Sequence, residues 1–355
     1  MSLEELRKKV DATDEKIVRL IAERIRQSKS IGEEKHKKGK PIEDAAREQK
    51  VLSHIKTIAQ SEGINEKEIE NIYQQIFKSS KDAQGIVVAF QGEGGAYSEE
   101  ACFQYFGPSV TVKPCENLDV VFSLVEQDEV PYGVVPIENS LEGTVNRVYD
   151  LLLNSSLKVC GELEVRIMHC LIANPESSLD TIKRVYSHPQ ALAQCQTFLR
   201  HLDFEEIPAS DTAGSVRLIK EQRLTDAAAI ASRRAAEIYG MKILANEIAD
   251  NPNNFTRFFV LAKHDSPPTG KDKTSIVFSV KHKPGTLYGA IKEFADNKLN
   301  LTKIESRPTR QKAWEYNFYL DFEGHHQDKI VKDTLARLEA HSLFLKVLGS
   351  YPRAM

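Results

Sequence analysis

No glycine interrupts the chain before Gly32, and no proline before Pro41. Over that stretch apolar residues recur at Leu3, Leu6, Val10, Ile17, Leu20, Ile25 and Ile31, mostly in steps of three and four. That spacing lays them along one stripe of a helix, which runs to about Lys38, roughly 55 Å at 1.5 Å per residue. Gly39-Lys-Pro41 ends it. A second helix is expected from about Pro41 to Glu62, with Val51, Leu52, Ile55 and Ile58 inward. A third starts at Asn65, an N-cap with Glu68 three residues later, and continues through Ile69, Ile72, Ile76 and Phe77. Two short helices cannot cover so long a stripe. Residues 1–84 therefore read as an all-α helical bundle completed by a second copy in an intertwined dimer.

Polar groups lie on the same stripes. Arg24 falls one heptad after Ile17, and Lys35 one turn beyond Ile31. Asp44 and Glu48 continue the line of Val51 and Ile55, and Ser80 and Gln84 that of Ile72 and Ile76. Burying a charge is costly unless it is paired or meets a ligand. On spacing alone the set reads either as a salt-bridge network near helix ends or as a site for a polar anion. His36-Lys-Lys-Gly-Lys40 reads as a solvated turn.

From Gly85 the pattern changes. Ile86-Val-Val-Ala-Phe90 is a buried strand, and Gly92-Glu-Gly-Gly-Ala-Tyr-Ser98 opens a helix with Ser98 as a cap. Strands and helices then alternate: Val110–Val112, Asn117–Gln127, Tyr132–Pro136, Thr144–Leu153, Leu163–Ala173, Ser187–Leu202, Thr212–Leu224, Ala227–Ala231 and Ala231–Tyr239. Such alternation means α/β sheets, and the last strand, Phe258–Ala262, is expected to return to the first sheet and make two lobes with a cleft between them. Just before it, Asn251-Pro-Asn-Asn-Phe-Thr-Arg-Phe-Phe259 sets Thr256 and Arg257 where a loop enters a sheet. Thr256 either caps a turn or is presented for chemistry, and Arg257 either binds substrate or fixes the loop.

Asp265-Ser-Pro-Pro-Thr-Gly-Lys-Asp272 is a linker by composition. Residues 272–355 follow a βαββαβ order, the α+β ferredoxin-like arrangement, which carries no chemistry of its own.

A formal charge of −3, with both signs mixed throughout, argues against a nucleic-acid partner. No apolar run is long enough to span a membrane, and the N-terminus lacks the order of a signal peptide. Cysteines 102, 115, 160, 170 and 195 form no Cys-x-x-Cys and read as reduced core thiols of a cytoplasmic protein, with no metal site and no cofactor expected.

The helical segment resembles the all-helical type of chorismate mutase. Arg7, Arg24 and Lys35 match that family's first helix, Asp44 and Glu48 its second, and Ser80 and Gln84 the end of its last. The resemblance implies that Arg7, from the partner protomer, and Arg24 take the two carboxylates of chorismate. Lys35 and Gln84 donate to the ether oxygen, and Glu48 with Asp44 holds the ring hydroxyl.

Residues 85–263 resemble prephenate dehydratase, with a two-lobed α/β fold like that of periplasmic binding proteins. Thr256 in Phe-Thr-Arg-Phe matches the hydroxyl that assists loss of the ring hydroxyl. Glu138, Asn139, Ser140 and Gly143 match the Glu-Asn-Ser-x-x-Gly segment, and Ser187, His188, Pro189, Gln190 and Gln194 a second one. By this resemblance the glycine loop (Gly95, Tyr97, Ser98) and Ser187 hold carboxylates, Glu138 and Asn139 shape the hydroxyl pocket, and His188 belongs to the cleft wall. Glu93 and Ala96 depart from the family's Gly-Pro-x-Gly-Thr/Ser-Tyr.

The C-terminal segment resembles the ACT domain. Glu305-Ser306-Arg307-Pro308 matches its phenylalanine-sensing segment, and Gly285-Thr286-Leu287-Tyr288 stands for the companion Gly-Ala-Leu-Val. The three together imply a bifunctional enzyme that converts chorismate to prephenate and prephenate to phenylpyruvate, regulated by L-phenylalanine, in a homodimer or larger assembly. The pockets are expected to be separate, with prephenate released and rebound. Competing readings are arogenate dehydration and a non-catalytic amino-acid-responsive protein; Arg24, Lys35, Gln84 and Thr256 speak against the latter.

Overall fold

The computed structural model describes residues 2–37, 45–83, 85–108, 110–202, 204–309 and 314–354, with side chains for all of these but 29, 32–37, 45–46, 78 and 81–83. The chain divides into two compact units, Met1–Val87 with Phe106–Thr111, and Val88–Tyr105 with Val112–Met355.

In the first unit α1 spans Leu3–Lys37, α2 Ala45–Ser61 and α3 Glu66–Ala83. The Asn65 side chain accepts from Lys67 N at 2.8 Å, the expected N-cap. α3 packs on both α1 and α2, and Ala59 and Phe77 are buried between the helices. Each short helix is about half the length of α1, so burial on the described side chains of α1 is confined to its Ile21–Ser28 part. The remaining stripe stands open, with Leu3, Val10 and Leu20 at 67%, 58% and 65% exposure. Ile58 and Ile72, expected inward, are also exposed in the single chain.

The second unit holds three sheets. The first is ordered β2 (Thr111–Cys115), β1 (Val87–Gln91), β3 (Tyr132–Asn139), β11 (Phe255–Ala262), β5 (Lys158–Arg166), with β4 (Gly143–Thr144) on β3. The second is ordered β10 (Lys242–Ala245), β6 (Cys170–Ala173), β9 (Ala227–Ala231), β7 (Arg184–Ser187), β8 (Glu205–Pro208). Both carry helices: α4 (Tyr97–Phe106), α5 (Leu118–Glu126) and α6 (Asn146–Asn154) go with the first, and α7 (Pro189–Ala193), α8 (Gln196–Arg200), α9 (Thr212–Glu221) and α10 (Arg233–Tyr239) with the second. The Ala-rich β9 is wholly buried, because small side chains let helices pack closely on both of its faces.

β11 does return to the first sheet, antiparallel between β3 and β5. Two expected elements are broken instead of continuous. The run Leu163–Ala173 is two strands, β5 and β6, and residues 167–169 cross from the first sheet to the second. The helix expected over Ser187–Leu202 begins only after β7, capped by His188, and stops at Gln194 before α8. Ser98 sits within the first turn of α4 and not at its cap.

The third sheet is ordered β13 (Leu301–Pro308), β14 (Tyr316–Glu323), β12 (Asp272–Ser279), β15 (Phe344–Pro352), backed by α11 (Thr286–Asp296) and α12 (Lys329–His341). This is the βαββαβ arrangement. Its β15 lies against β5 of the first sheet, where a Cβ added at Gly349 would sit 2.1 Å from Val159 O. The atoms it would meet are all backbone of Val159, so no side-chain movement relieves the clash. Gly349→Ala is expected to cost about 1–3 kcal/mol, as overpacked sites do, read as a lower thermal midpoint with the helicity of the first unit unchanged.

Candidate active site

In the helical unit Arg24 donates from Nη1 to Ser80 Oγ, and its guanidinium lies 5.3 Å from the centre of the Phe77 ring. Ser80 is buried and also donates to Ile76 O at 2.7 Å. The stripe residues of α1 and α3 thus meet as expected. Arg7 is exposed, and Glu48 is half-buried on α2. The Lys35 side chain, Asp44 and the Gln84 residue lie outside the described residues.

A second site lies in the second unit, a cleft of about 260 Å³ between the first two sheets. Its first wall is the glycine loop and α4 start (Gly92, Ala96, Tyr97, Ser98) with Pro136, Asn139, Thr256 and Phe258; the second is His188, Gln190, Ala191, Gln194 and the α9 start (Ser210, Asp211, Thr212). The crossover adds Ile167 and His169. Pairing explains which strand residues arrive. Thr256 and Phe258 share one face of β11, while on β3 the register slips so that Thr256 faces Asn139 and Phe258 faces Pro136. The slip is a bulge at Ile137, which turns both Asn139 and Pro136 to the cleft.

No Lys or Arg is among the lining residues described. Carboxylates bound here would meet backbone N–H groups at the starts of α4 and α9 with the hydroxyls of Ser98, Ser210 and Thr212, a dipolar environment that suits anions.

The hydroxyl of Thr256 has a defined partner. Asn139 Nδ2 lies 3.0 Å from Thr256 Oγ1, so the oxygen accepts and its own proton is left for a ligand in the cleft. Asn139 Oδ1 takes Leu141 N and Glu142 N at 3.0 and 3.1 Å, which fixes the orientation of the amide.

Two residues that motif reasoning did not single out complete the floor. His169, 3% exposed, lies 3.0 Å from Gln194 Oε1 through Nε2 and 3.1 Å from the Tyr97 hydroxyl through Nδ1. Asn254 donates to the same Gln194 oxygen at 2.8 Å. Gln194 Oε1 takes the Nε2 proton, so a neutral His169 presents Nδ1 as an acceptor, and it competes at 3.1 Å with Met168 O at 2.8 Å for the single proton of the Tyr97 hydroxyl. Burial pushes the Tyr97 hydroxyl well above its usual range, so it stays protonated. Burial likewise lowers His169 from 6.5, with the Gln194 contact opposing. Because the folded value is the lower one, this histidine's contribution to stability is complete above the unfolded value of about 6.5 and fades as pH falls through the folded one. The thermal midpoint of the wild-type protein is therefore expected to drop as pH falls below about 6.5, and His169→Gln to flatten that limb.

Several expected site residues turn elsewhere, and these are corrections. The Ser187 hydroxyl, fully buried, donates to Ile230 O at 2.6 Å and ties β7 to β9. Gly95 is not a cleft residue: its N–H donates to Glu99, its carbonyl accepts from Ser232 at 2.6 Å, and at φ +90° a Cβ there would meet Ala235 Cα at 2.6 Å. Ser140 accepts from Phe255 N and donates to Asn253 O, stitching two loops. Glu138 and Arg257 oppose each other on the reverse face of the sheet. Arg257 meets Asp321 Oδ2 at 2.7 Å, Glu162 Oε2 at 2.8 Å and the Tyr351 hydroxyl at 3.0 Å, while Glu138 pairs with Lys303 at 2.7 Å. The departure at Glu93 has a partner as well: it accepts from Arg217 Nε of α9 at 2.6 Å, joining the glycine loop to the opposite lobe.

In the third sheet, Glu305 accepts from Thr144, and Arg307 lies 2.9 Å from Asp150, so both side chains face the dehydratase-like sheet and not solvent. Ser306 and Pro308 are exposed between them. Gly285 starts α11 at φ +84°, Thr286 ties back to Lys281 O at 2.7 Å, and Leu287 packs on the core of this sheet.

Residues 88–266 match the prephenate dehydratase family, 6–85 the type II chorismate mutases, and 274–340 the ACT domain. A bifunctional chorismate mutase/prephenate dehydratase of Aquifex aeolicus (strain VF5) is 41% identical over 360 residues, covering 99% of this chain and 98% of its own. The Arabidopsis thaliana chloroplastic arogenate dehydratase/prephenate dehydratase 2 is 44% identical over 289 residues, 78% of this chain and 76% of its own. A crystal structure of prephenate dehydratase in complex with L-Phe from Arthrobacter aurescens superposes with a TM-score of 0.70 at 34% identity, over 76% of this chain and 90% of that one.

Proposed function

The chain belongs to the bifunctional chorismate mutase/prephenate dehydratases, and from that premise we propose how its residues divide the work. The enzyme rearranges chorismate to prephenate and converts prephenate to phenylpyruvate. The first step is a Claisen rearrangement that needs no nucleophile and no proton transfer. Catalysis rests on holding a compact conformer and stabilising charge as the ether bond breaks. Arg24, held between Ser80 and Phe77, binds one carboxylate, because its fork suits bidentate recognition. Arg7, Lys35, Asp44, Glu48 and Gln84 complete this site by resemblance. A second copy covers the open stripe of α1 and brings its Arg7 to the site, so the working unit is at least a homodimer; the exposure of Leu3, Val10 and Leu20 supports this reading.

In the second step the ring carboxylate leaves as carbon dioxide, its bonding electrons enter the ring, and the ring hydroxyl departs as hydroxide, which takes a proton from solvent to become water. Aromatisation drives the exchange. Thr256 donates its hydrogen to the departing oxygen; an unperturbed threonine is a poor acid, so its role is a strong hydrogen bond that grows as negative charge develops. The observation that carries this is the Asn139–Thr256 contact facing a cleft without Lys or Arg among its described lining residues. L-Phenylalanine binds at the C-terminal domain through the Gly285–Leu287 and Glu305–Pro308 segments and lowers turnover; the L-Phe named with the Arthrobacter structure supports it. All five cysteines are buried and none forms a disulfide, which fits a reducing cytoplasm.

The test is to give the purified protein chorismate alone and identify products by chromatography. Phenylpyruvate establishes both activities, and prephenate accumulating overturns the reading of the cleft. Arogenate offered in parallel addresses the second reading that the Arabidopsis relative raises, and phenylalanine leaving both rates unchanged overturns the regulatory one.

A further inference from the structure

Asn254 is fully buried at the second crossover between the lobes, where its carbonyl accepts from Ile167 N of the first crossover at 2.8 Å. Its side chain bridges the two walls of the cleft. Oδ1 accepts from Asn139 Nδ2 of the first lobe at 2.7 Å, and Nδ2 donates to Gln194 Oε1 of the second at 2.8 Å. Gln194 is in turn the partner of His169 Nε2. Each polarity along this row is fixed by its neighbour. The loop amides hold Asn139 Oδ1, so its NH₂ faces Asn254 Oδ1, Thr256 Oγ1 and, at 3.1 Å, Phe255 O; Asn254 then presents its oxygen to Asn139 and its NH₂ to Gln194.

We infer that Asn254 is a positioning residue for dehydration, acting through Asn139 to keep the Thr256 oxygen an acceptor and its proton aimed at the substrate. The inference rests on the reading of Thr256 above. Asn254 is absent from the residues lining the cleft, so it acts on a ligand there only through its neighbours. Without it, the Asn139 NH₂ loses a buried acceptor and the rotation of the Thr256 hydroxyl is no longer set from that side. A hydroxyl turned away from the leaving oxygen by one rotamer is out of reach, and misplacement on the scale of 1 Å costs about 10²-fold.

The experiment is a double-mutant cycle on the full-length enzyme with prephenate as substrate and chorismate rearrangement as the internal control. Asn254→Ala is expected to lower kcat for dehydration by about 10- to 100-fold, with KM within about twofold and the mutase rate unchanged. In a Thr256→Ala background the same change is expected to cost almost nothing further, because the group it positions is gone. Asn254→Asp, which keeps the acceptor for Asn139, is expected to recover much of kcat. Losses that multiply in the double variant, a raised KM with kcat kept, or an equal loss in the mutase rate overturn the inference. Thr256→Ala with full activity overturns the reading beneath it instead, whereas Thr256→Ala inactive beside a fully active Asn254→Ala removes only the inference. If Asn254→Ala does not fold, Asn254→Ser carries the same cycle; if that also fails to fold, Asn254 is structural and the inference falls.

Discussion

Thr256→Ala is expected to lower prephenate turnover by about 10²–10³-fold, the range for loss of one donor aimed at developing charge. The loss falls on kcat and kcat/KM together, because the hydrogen bond strengthens only as the carbon–oxygen bond breaks. KM is expected to change little, since that hydrogen bond adds little to binding of the ground state. Thr256→Ser keeps the donor and the contact with Asn139 and is expected to retain most activity. Steady-state assays with chorismate and with prephenate separate the two reactions in one preparation. A Thr256→Ala enzyme keeping more than about a tenth of its kcat would leave only weak acid–base assistance to this hydroxyl.

Arg257→Ala carries the largest expected cost in stability. The guanidinium joins β11 to the C-terminal sheet, with Asp321 and Glu162 at 2.7–2.8 Å, Tyr351 at 3.0 Å and the Phe259 ring centre at 4.9 Å. Burial works against its charge, and Asp321, Tyr351 and Glu162 more than offset this, so its pKa lies above the ordinary value. Glu162 keeps Lys273 at 2.7 Å and Asp321 keeps Ser275 at 2.5 Å, but each loses its nearest guanidinium in a buried place. Removing one member of such a set costs about 3–5 kcal/mol, on the order of 10 °C in thermal midpoint for a unit of this size. Arg257→Lys does not rescue it, because a single ammonium cannot span three acceptors in different directions. Calorimetry gives the result directly. A near-native midpoint together with a KM for prephenate raised tenfold would instead put this arginine on the substrate.

Motifs placed residues in the right neighbourhood of the chain without fixing which way each one faces. Phe-Thr-Arg-Phe is one run of letters, yet strand alternation sends Thr256 and Phe258 to the cleft and Arg257 to the domain contact. Glu138 and Asn139 part company for the same reason, and the bulge at Ile137 that recovers Pro136 for the cleft is marked in the sequence by that proline, which an interior strand tolerates at a bulge. His169 was hidden inside the run Leu163–Ala173, where no glycine or proline marks the crossover at residues 167–169. Gln194 was legible because its segment resembles a known one, but the helix break that presents it was not, since nothing in Leu-Ala-Gln-Cys-Gln stops a helix. The order of helices and strands was readable throughout the C-terminal domain, where periodicity changes cleanly between elements. What it could not tell is that Glu305 and Arg307 spend their side chains on Thr144 and Asp150.

The contact of β15 with β5 has a meaning for how such a chain can be cut or rebuilt. β5 is the last strand of its sheet, and one side of its backbone would otherwise be a bare template for another chain. A fragment ending near the linker keeps every cleft residue, yet it uncovers that border. Its first failing would be self-association at the naked strand, so in this enzyme the sensor is also the sheath of the catalyst.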